Sequence, residues 1–548
     1  MYNYITEENA KEIGLKHILQ KLPTQTPYGK EVKENINPYL SDRIKDLRKT
    51  LRDLGIFLEV VEKDYQVLRG LNNHLGEFID IKSSFYRARN HEILNEVELF
   101  EIKNQIMAME KLRKFLRRSP IAIEVFQLLS MEKIEQLLDP ENTGVETFYI
   151  YDVYSEELTN IRRKKRELEE KITYLNKKIK EEIEEEIGIK PKLNGEILVQ
   201  RENEQQIEKL GNSKRVHQIA ENIKFFIYKI KPSKELKILE TELEDIKLLE
   251  EEEEFKIRQM LSETIGESAN DIVRNIDAIG QMDFIMGKAI LALQMKAVKP
   301  KIVEEPMLRV KDGRHAVIEE KLKRQGSSYT PVDVSLEKGI TLITGANMGG
   351  KTITLKMMAL ITAMAQLGFY VPAKEAIISP VSFVYFSSGD QQSEENGLST
   401  FGAEIEGLKV VIEKADDAGL ILIDELARGT NPLEGYGISR GVLEYLKNKP
   451  SISVVTTHFD GLSNIEGIKH LQVVGLKNVP VETLKEQLQV SKDYKGVLEK
   501  YMDYRLEEKK EEEVSPKDAI MIAKLMGLKE EIIEEASKSI REREEQNE

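Results

Sequence analysis

The chain has 548 residues, a formal charge of −15, 40% hydrophobic residues, 6% aromatics and neither cysteine nor tryptophan. That length calls for several domains with buried cores, and the missing cysteines exclude disulfides, thiolate catalysis and cysteine-based zinc sites. The N-terminus, MYNYITEENAKEIG, lacks a basic-then-apolar signal pattern and no uncharged apolar run reaches membrane-spanning length, so the expectation is a cytoplasmic protein with no membrane partner.

Residues 1–155 read as almost all helix, interrupted at Asn37-Pro38 and near Gly70 and Ser119-Pro120. Ile44, Leu47, Leu51, Leu54 and Leu58 recur at spacings of three and four, the mark of an amphipathic helix. Glu98 to Leu116 repeats the pattern.

A strongly charged helix follows from Glu156, with a sparse apolar seam of Leu158, Ile161, Leu168, Ile172, Leu175 and Ile179. A narrow seam with charged flanks predicts an antiparallel coiled-coil arm over 156–264. The returning helix of that arm starts at Ser233, with Leu236, Ile238, Leu239, Leu243, Ile246, Leu248 and Leu249 on its seam. Between the helices, 188–234 changes character: Gly188, Pro191, Gly195, Gly211 and Pro232 break helices, and 196–200 reads as a strand. This tip holds ten Lys or Arg against five Glu, a local balance of +5 in an acidic chain. The overall charge argues against nucleic acid, yet a local basic patch still binds phosphate. Lys190, Lys192, Arg201, Lys214 and Arg215 are the candidate contacts to a nucleic-acid backbone.

Helical patterning (265–299) returns to the core and stops at Pro300 and Pro306. From 300 onward short β-type runs alternate with helices: Ile340–Thr344, Gly368–Val371, Val384–Phe386, Leu420–Ile423, Ser453–Thr457 and Leu471–Val474. That alternation predicts a mostly parallel sheet covered by helices, with an acidic helical tail over 514–545.

Within that region, 345–352 fits the phosphate-loop pattern G-x-x-x-x-G-K-[ST]. Gly345, Gly349 and Gly350 let backbone N–H groups close around a polyphosphate, and Ala346, Asn347 and Met348 complete the loop. Lys351 supplies a cation for the outer phosphates, and Thr352 offers a hydroxyl to Mg²⁺. The buried-strand run Leu420–Ile423 ends in Asp424, placed to reach Mg²⁺ through water, and in Glu425, placed to orient or deprotonate the attacking water. His458 ends the next apolar run, where it can sense the γ-phosphate. Ser399 and Thr400 stand at a helix start, where short hydroxyls either cap the helix or donate to a phosphate.

GANMGGKT, SGDQQSEENGLSTFGAEI, LILIDELARGTNPLEG and TTHF occur in this order, and together they resemble the ATPase domain of the MutS family. Its second bacterial subfamily, whose members usually end in a Smr nuclease domain, is the best resemblance. IGLKHILQKLPTQTPYGKEV and MDFIMGKAILALQMKAVKP resemble the two ends of the family's helical core, and SPKDAIMIAKLMGLKEEIIEEAS its C-terminal dimerising helices. The fold implied is multidomain α plus α/β: a helical core with lever (1–155, 265–299), a clamp arm (156–264) and an ABC-like P-loop ATPase domain (300–548). The resemblance implies ATP and Mg²⁺ as cofactors and a homodimer, or a heterodimer with a related subunit, with composite sites. Lys351 and Thr352 would bind phosphate and metal, Asp424 the metal, Glu425 would be the base and His458 the switch. Ser399 and Thr400 would act in trans, and Tyr329 would stack on adenine. Ala346, Ala316 and Ala427 depart from the usual proline, proline and glycine. The resemblance starts at the core and reaches no Smr domain, so it implies neither specific mismatch reading nor nuclease activity. A dimeric DNA clamp acting in repair or recombination is the function expected. ATP-driven reactivation of a cobalamin-dependent amino acid mutase, or binding to stalled ribosomes, stands beside it.

Overall fold

A computed structural model describes residues 4–345, 350–388, 400–459, 461–475, 501–509, 520, 523 and 528–547. The chain forms two units, one made of 77–114 and 128–276, the other of 1–76, 115–127 and 277–548. Among the described residues, no helix is long and apolar enough to cross a membrane.

The unit of 77–114 and 128–276 is dominated by two long helices, Glu156–Ile187 and Lys234–Glu267. Each starts on a serine whose hydroxyl accepts an N–H from the first turn: Ser155 from Leu158, Ser233 from Leu236. The first ends at Gly188, which takes the left-handed conformation (φ 80°) that a side chain would resist. The helices run antiparallel, because Arg162 pairs with Glu250 and Glu254 while Lys164 and Lys171 face Glu242 and Asp245.

The seam between them is narrower than its sequence suggests. Leu236 is buried and Leu239, Leu243 and Ile246 are half-buried, at spacings of three, four and three. Ile238, Leu248 and Leu249, which the sequence placed on the seam, are 59%, 60% and 48% exposed. A two-helix contact has room for alternate three- and four-residue steps only, and the next steps fall on Glu250 and Glu253. Both are kept as ions by partners: Lys165 and Arg162 hold Glu250, and Lys256 and Ser155 hold Glu253.

At the far end of the pair the chain builds a small α/β layer. Strands β1 (Glu196–Gln200), β2 (Val216–Glu221) and β3 (Phe225–Ile230) form an antiparallel sheet in the order β1-β3-β2. Ile183 and Ile187 of the first long helix pack with Ile197, Val199, Val216 and Tyr228 of the sheet. Sequence patterning found β1 and neither β3 nor β2, the latter carrying a single buried residue without alternation.

Near the base of the same unit, Lys103 is 1% exposed and donates to Asp139 (3.1 Å), Tyr151 (3.0 Å) and the Thr147 carbonyl (2.9 Å). Burial alone would raise the Asp139 pKa. Hydrogen bonds from the Gly144 N–H, Thr143 and Lys103 outweigh it and bring the carboxyl to about 2.

The other unit holds two sheets. One has β4 (Lys301–Ile302), β5 (Met307–Gly313), β6 (Val332–Glu337) and β8 (Glu375–Ile378) in the order β4-β8-β5-β6. The other has β7 (Gly339–Thr344), β9 (Val384–Ser387), β10 (Leu420–Ile423), β11 (Ile452–Thr456), β12 (Lys469–Gly475) and β13 (Asp503–Glu508). Its order is β13-β12-β7-β11-β10-β9, parallel throughout except for β13. Strands β7, β10 and β11 are almost wholly buried, as strands covered on both faces are. Helix Lys351–Gln366 packs on one face, and helices Thr400–Glu413 and Pro432–Leu446 on the other. Gly368–Val371, expected as a strand, is a turn: Gly368 has φ 73° and closes the preceding helix, and Val371 makes only an isolated bridge to Val298. The strand follows at 375–378, in the smaller sheet.

Lys103→Met is expected to destabilise its unit by about 3–5 kcal/mol, because it leaves Asp139 buried without a cation; chemical denaturation measures it. In the parent chain the Asp139 contribution is full above pH 3.8, its ordinary value, and is lost as pH falls towards its folded value of about 2.

Candidate active site

Strand β7 ends at Thr344, and the chain leaves it through Gly345 at φ 129°. A side chain there would meet Val473 of β12 at 3.0 Å. At the other end of the loop, Gly350 caps helix Lys351–Gln366 in the left-handed conformation (φ 73°), and a Cβ on it would meet the Tyr504 ring of β13 at 2.8 Å. Both glycines are therefore required by backbone angle and by space. Ala346, Asn347, Met348 and Gly349 lie outside the described residues.

Lys351 is 4% exposed, and its ammonium donates to the Gly345 carbonyl at 2.5 Å. Burial lowers its pKa, and the nearby Glu425 and Asp424 charges act against that drop. The next residue, Thr352, donates its hydroxyl to Asp424 Oδ2. Asp424 sits one step beyond β10 and is 6% exposed. Its other oxygen, Oδ1, accepts from Thr456 Oγ1 at 2.7 Å. The same Thr456 oxygen accepts the Glu425 N–H at 2.7 Å. One threonine at the end of β11 thus clamps both acids at the end of β10.

Glu425 takes a left-handed backbone (φ 55°), as does Ala427 (φ 60°). Such angles cost a non-glycine residue roughly 1–2 kcal/mol, and they persist where surrounding contacts impose them. Here the Glu425 N–H is held by Thr456, and the Ala427 N–H by Glu404 Oε1 at 2.6 Å. The Ala427 angle also explains why a glycine is the easier residue there.

The Glu425 carboxylate is held at both oxygens. His458 Nε2 lies 2.7 Å from Oε1, and Arg428 donates to Oε2 at 2.6 Å. Burial pushes its pKa up, but the His458 hydrogen bond and charge, then Arg428 and Lys351, hold it below the ordinary range. It stands as an anion able to take a proton. On the flank, Thr344 Oγ1 lies 2.7 Å from His470 Nε2, and burial drives the His470 pKa to about 4, so that ring is neutral.

The structure thus brings Gly345, Gly350, Lys351, Thr352, Asp424, Glu425 and His458 together at one edge of the sheet. Ser399 lies outside the described residues, and Thr400 is described only as the first residue of its helix. Tyr329 is half-buried with its hydroxyl beside the His315 backbone, and burial raises its pKa to about 12. Among the described residues no hydrogen bond joins it to the loop. Arg314 donates to the Met295 and Lys296 carbonyls and pairs with Glu319 at 2.7 Å. Sequence reasoning missed Thr456, Arg428 and Glu404. All three lay inside quoted motifs without a role assigned to them, because the spacing of Thr456 from Glu425 has no local signature.

The basic residues of the other unit form no comparable constellation. Lys190, Lys192 and Lys214 are exposed and carry no ion pair among the described residues. Arg215 is tied to Glu182 at 2.8 Å, and Arg201 to Glu221 at 3.2 Å.

The family model described as MutS domain V matches residues 341–544. A protein named Endonuclease MutS2 from Caldanaerobacter subterraneus subsp. tengcongensis is 28% identical over 454 residues, 80% of this chain and 55% of that protein. Residues 341–544 thus match MutS domain V, and most of the chain is similar to MutS2 proteins. A second Endonuclease MutS2, from Halothermothrix orenii, is 27% identical over 481 residues, 85% of this chain and 58% of that one. Over 306 residues a third, from Carboxydothermus hydrogenoformans, reaches 34%, covering 55% of this chain and 36% of its own length. The chain therefore spans a little over half the length of the curated relatives that match most of it.

Thr456→Val is expected to cost about 1–3 kcal/mol in chemical denaturation, since it strips a donor from Asp424 and an acceptor from the Glu425 N–H. Thr456→Ser keeps both bonds and should retain parent stability.

Proposed function

We propose that the chain is a Mg²⁺-dependent ATPase whose hydrolysis opens and closes a dimeric clamp on DNA. The observation that carries the ATPase is the continuous linkage from the loop threonine through Asp424 and Thr456 to Glu425 and His458. A buried lysine at a helix N-terminus, directly after a loop bounded by two positive-φ glycines, fits a polyphosphate, and the Thr352–Asp424 pair offers the hard oxygen donors that Mg²⁺ prefers. Mg²⁺, once bound, neutralises charge on the phosphate oxygens.

Lys351 would exchange the Gly345 carbonyl for a phosphate oxygen, which restores a full counter-charge to a buried ammonium. Glu425 would then accept a proton from the water that attacks the terminal phosphorus. The bond to the bridging oxygen breaks, and ADP and phosphate leave. Arg428, more than half exposed, holds one of the Glu425 oxygens and must release it before the carboxylate can turn to that water. His458 holds the other oxygen and so orients the base. Ser399 and Thr400 of a second subunit would complete the site, and Tyr329 would pack on adenine.

The relatives are named as endonucleases of the MutS2 type, and a clamp on DNA is in keeping with that name. The long antiparallel pair (156–264) with its basic tip (188–234) would be the clamp arm, 1–155 and 265–299 the core and lever, and 300–548 the ATPase domain with dimerising helices over 514–545. A protein client such as a cobalamin-dependent amino acid mutase is favoured by a different observation, the net charge of −15, and binding to stalled ribosomes is a third reading. The local balance of +5 at the tip supports the nucleic-acid reading.

Lys351→Ala should abolish or nearly abolish ATP binding, read by equilibrium dialysis. Glu425→Gln should bind ATP normally yet hydrolyse it about 10²–10⁴-fold more slowly. Unchanged turnover in that variant would refute its role as base. Nucleic acid or protein recovered with the Glu425→Gln variant in ATP then tells the DNA clamp from the remodelling factor.

A further inference from the structure

The tip sheet has two faces, and only one has a role so far. Side chains alternate across a strand, so the register assigns every residue to a face. Ile197, Val199, Val216 and Tyr228 are buried in the core against the long helix, with Phe226 and Ile230 packed on it. Leu198, Phe225 and Ile227 belong to the opposite face and are half-buried without joining that core. Leu198 and Ala220 flank Ile227 in register, one on each neighbouring strand. Ile219, displaced by a bulge in β2, is 44% exposed.

Charge frames this apolar row at both ends. The central strand β3 continues outward through Lys229 and on to Lys231, and the β2–β3 turn places Lys224 at the other end. All three lysines are exposed and have no ion pair among the described residues. One carboxylate lies on this face, Glu196, which is opposite Lys229 in register, and His217 stands on the other side of Lys229.

We infer that the outward face of the tip sheet is a binding surface for single-stranded nucleic acid, with bases lying on Phe225, Ile227 and Leu198 and phosphates reaching Lys224, Lys229 and Lys231. Duplex offers such a surface only phosphates, and leaves the aromatic and aliphatic row without a partner. An unpaired strand offers both, because its bases expose π-faces that stack on aromatic rings while its backbone tracks the cations. Lys229 and Lys231, with Lys224 in the turn at the other end, against one carboxylate favour an anionic partner over a basic or neutral one. The inference rests on the nucleic-acid reading of the arm and narrows it to unpaired strand.

The absence of tryptophan makes the test direct. Phe225→Trp in the full chain gives a single-tryptophan protein, whose fluorescence should be quenched by an oligothymidylate of about 16 nucleotides and not by a duplex of equal length. Phe225→Ala should weaken oligothymidylate binding about 5- to 150-fold, and Phe225→Tyr should restore it, the control for a folded tip. Replacing Lys229 and Lys231 by alanine should reduce the slope of log K against log salt by about 1.4. Oligothymidylate binding that is unchanged in these variants, or that leaves the tryptophan unquenched, overturns the inference. Binding of branched duplex without binding of single strand also overturns it while leaving the clamp standing. ATP hydrolysis with no nucleic-acid binding at low salt overturns both and points to a protein client.

Discussion

Parallel pairing in register at the carboxyl edge of the larger sheet is the constraint on which the site depends. Ile343 stands opposite Thr456, and Ile423 opposite Val455, so β7, β10 and β11 end level with one another. The residues that step off those ends, Gly345, Asp424, Glu425 and His458, therefore arrive at one place from chain segments up to 113 positions apart in the sequence. A slip of one residue would turn Asp424 towards a helix-covered face and break the link through Thr456. Crevices outside the carboxyl ends of parallel strands are where such sheets hold ligands, and the helix dipole behind Lys351 adds to the attraction for anions.

The helix that starts at Lys351 is anchored just as firmly at its other end. Gln366 accepts from Tyr4 at 2.8 Å and bonds both the carbonyl and the N–H of Val381. Lys288 donates to the Leu367 carbonyl at 2.8 Å while its ammonium lies 4.4 Å and 4.7 Å from the ring centroids of Phe284 and Phe369. Burial brings the Lys288 pKa down to about 7.

In the other unit, charge does the work that apolar burial does in the sheet domain. Glu250 occupies a seam position and takes Arg162 and Lys165 as partners. Burial would raise its pKa, but those two cations together lower it. Ion pairs at a seam add little net stability, and their attested value is in setting register. A register held by Arg162, Lys165, Glu250 and Glu254 determines how the tip sheet sits on Ile183 and Ile187.

The sequence by itself determined the chemistry of the loop and of the acids. Gly345, Gly350, Lys351, Thr352, Asp424 and Glu425 lie in short, contiguous patterns whose physical demands are local, and a buried strand ending in two carboxylates is legible without a partner. It also determined the long helices, since their caps and seam recur within a few turns. The tertiary structure decided what depends on residues far apart in the chain. Thr456 became the clamp on both acids through strand register, and Arg428 met Glu425 through an unusual backbone angle. Ile238, Leu248 and Leu249 turned outward because a two-helix seam is narrow, and Phe225 and Ile227 were left facing solvent because only one face of a three-stranded sheet found a helix to cover it.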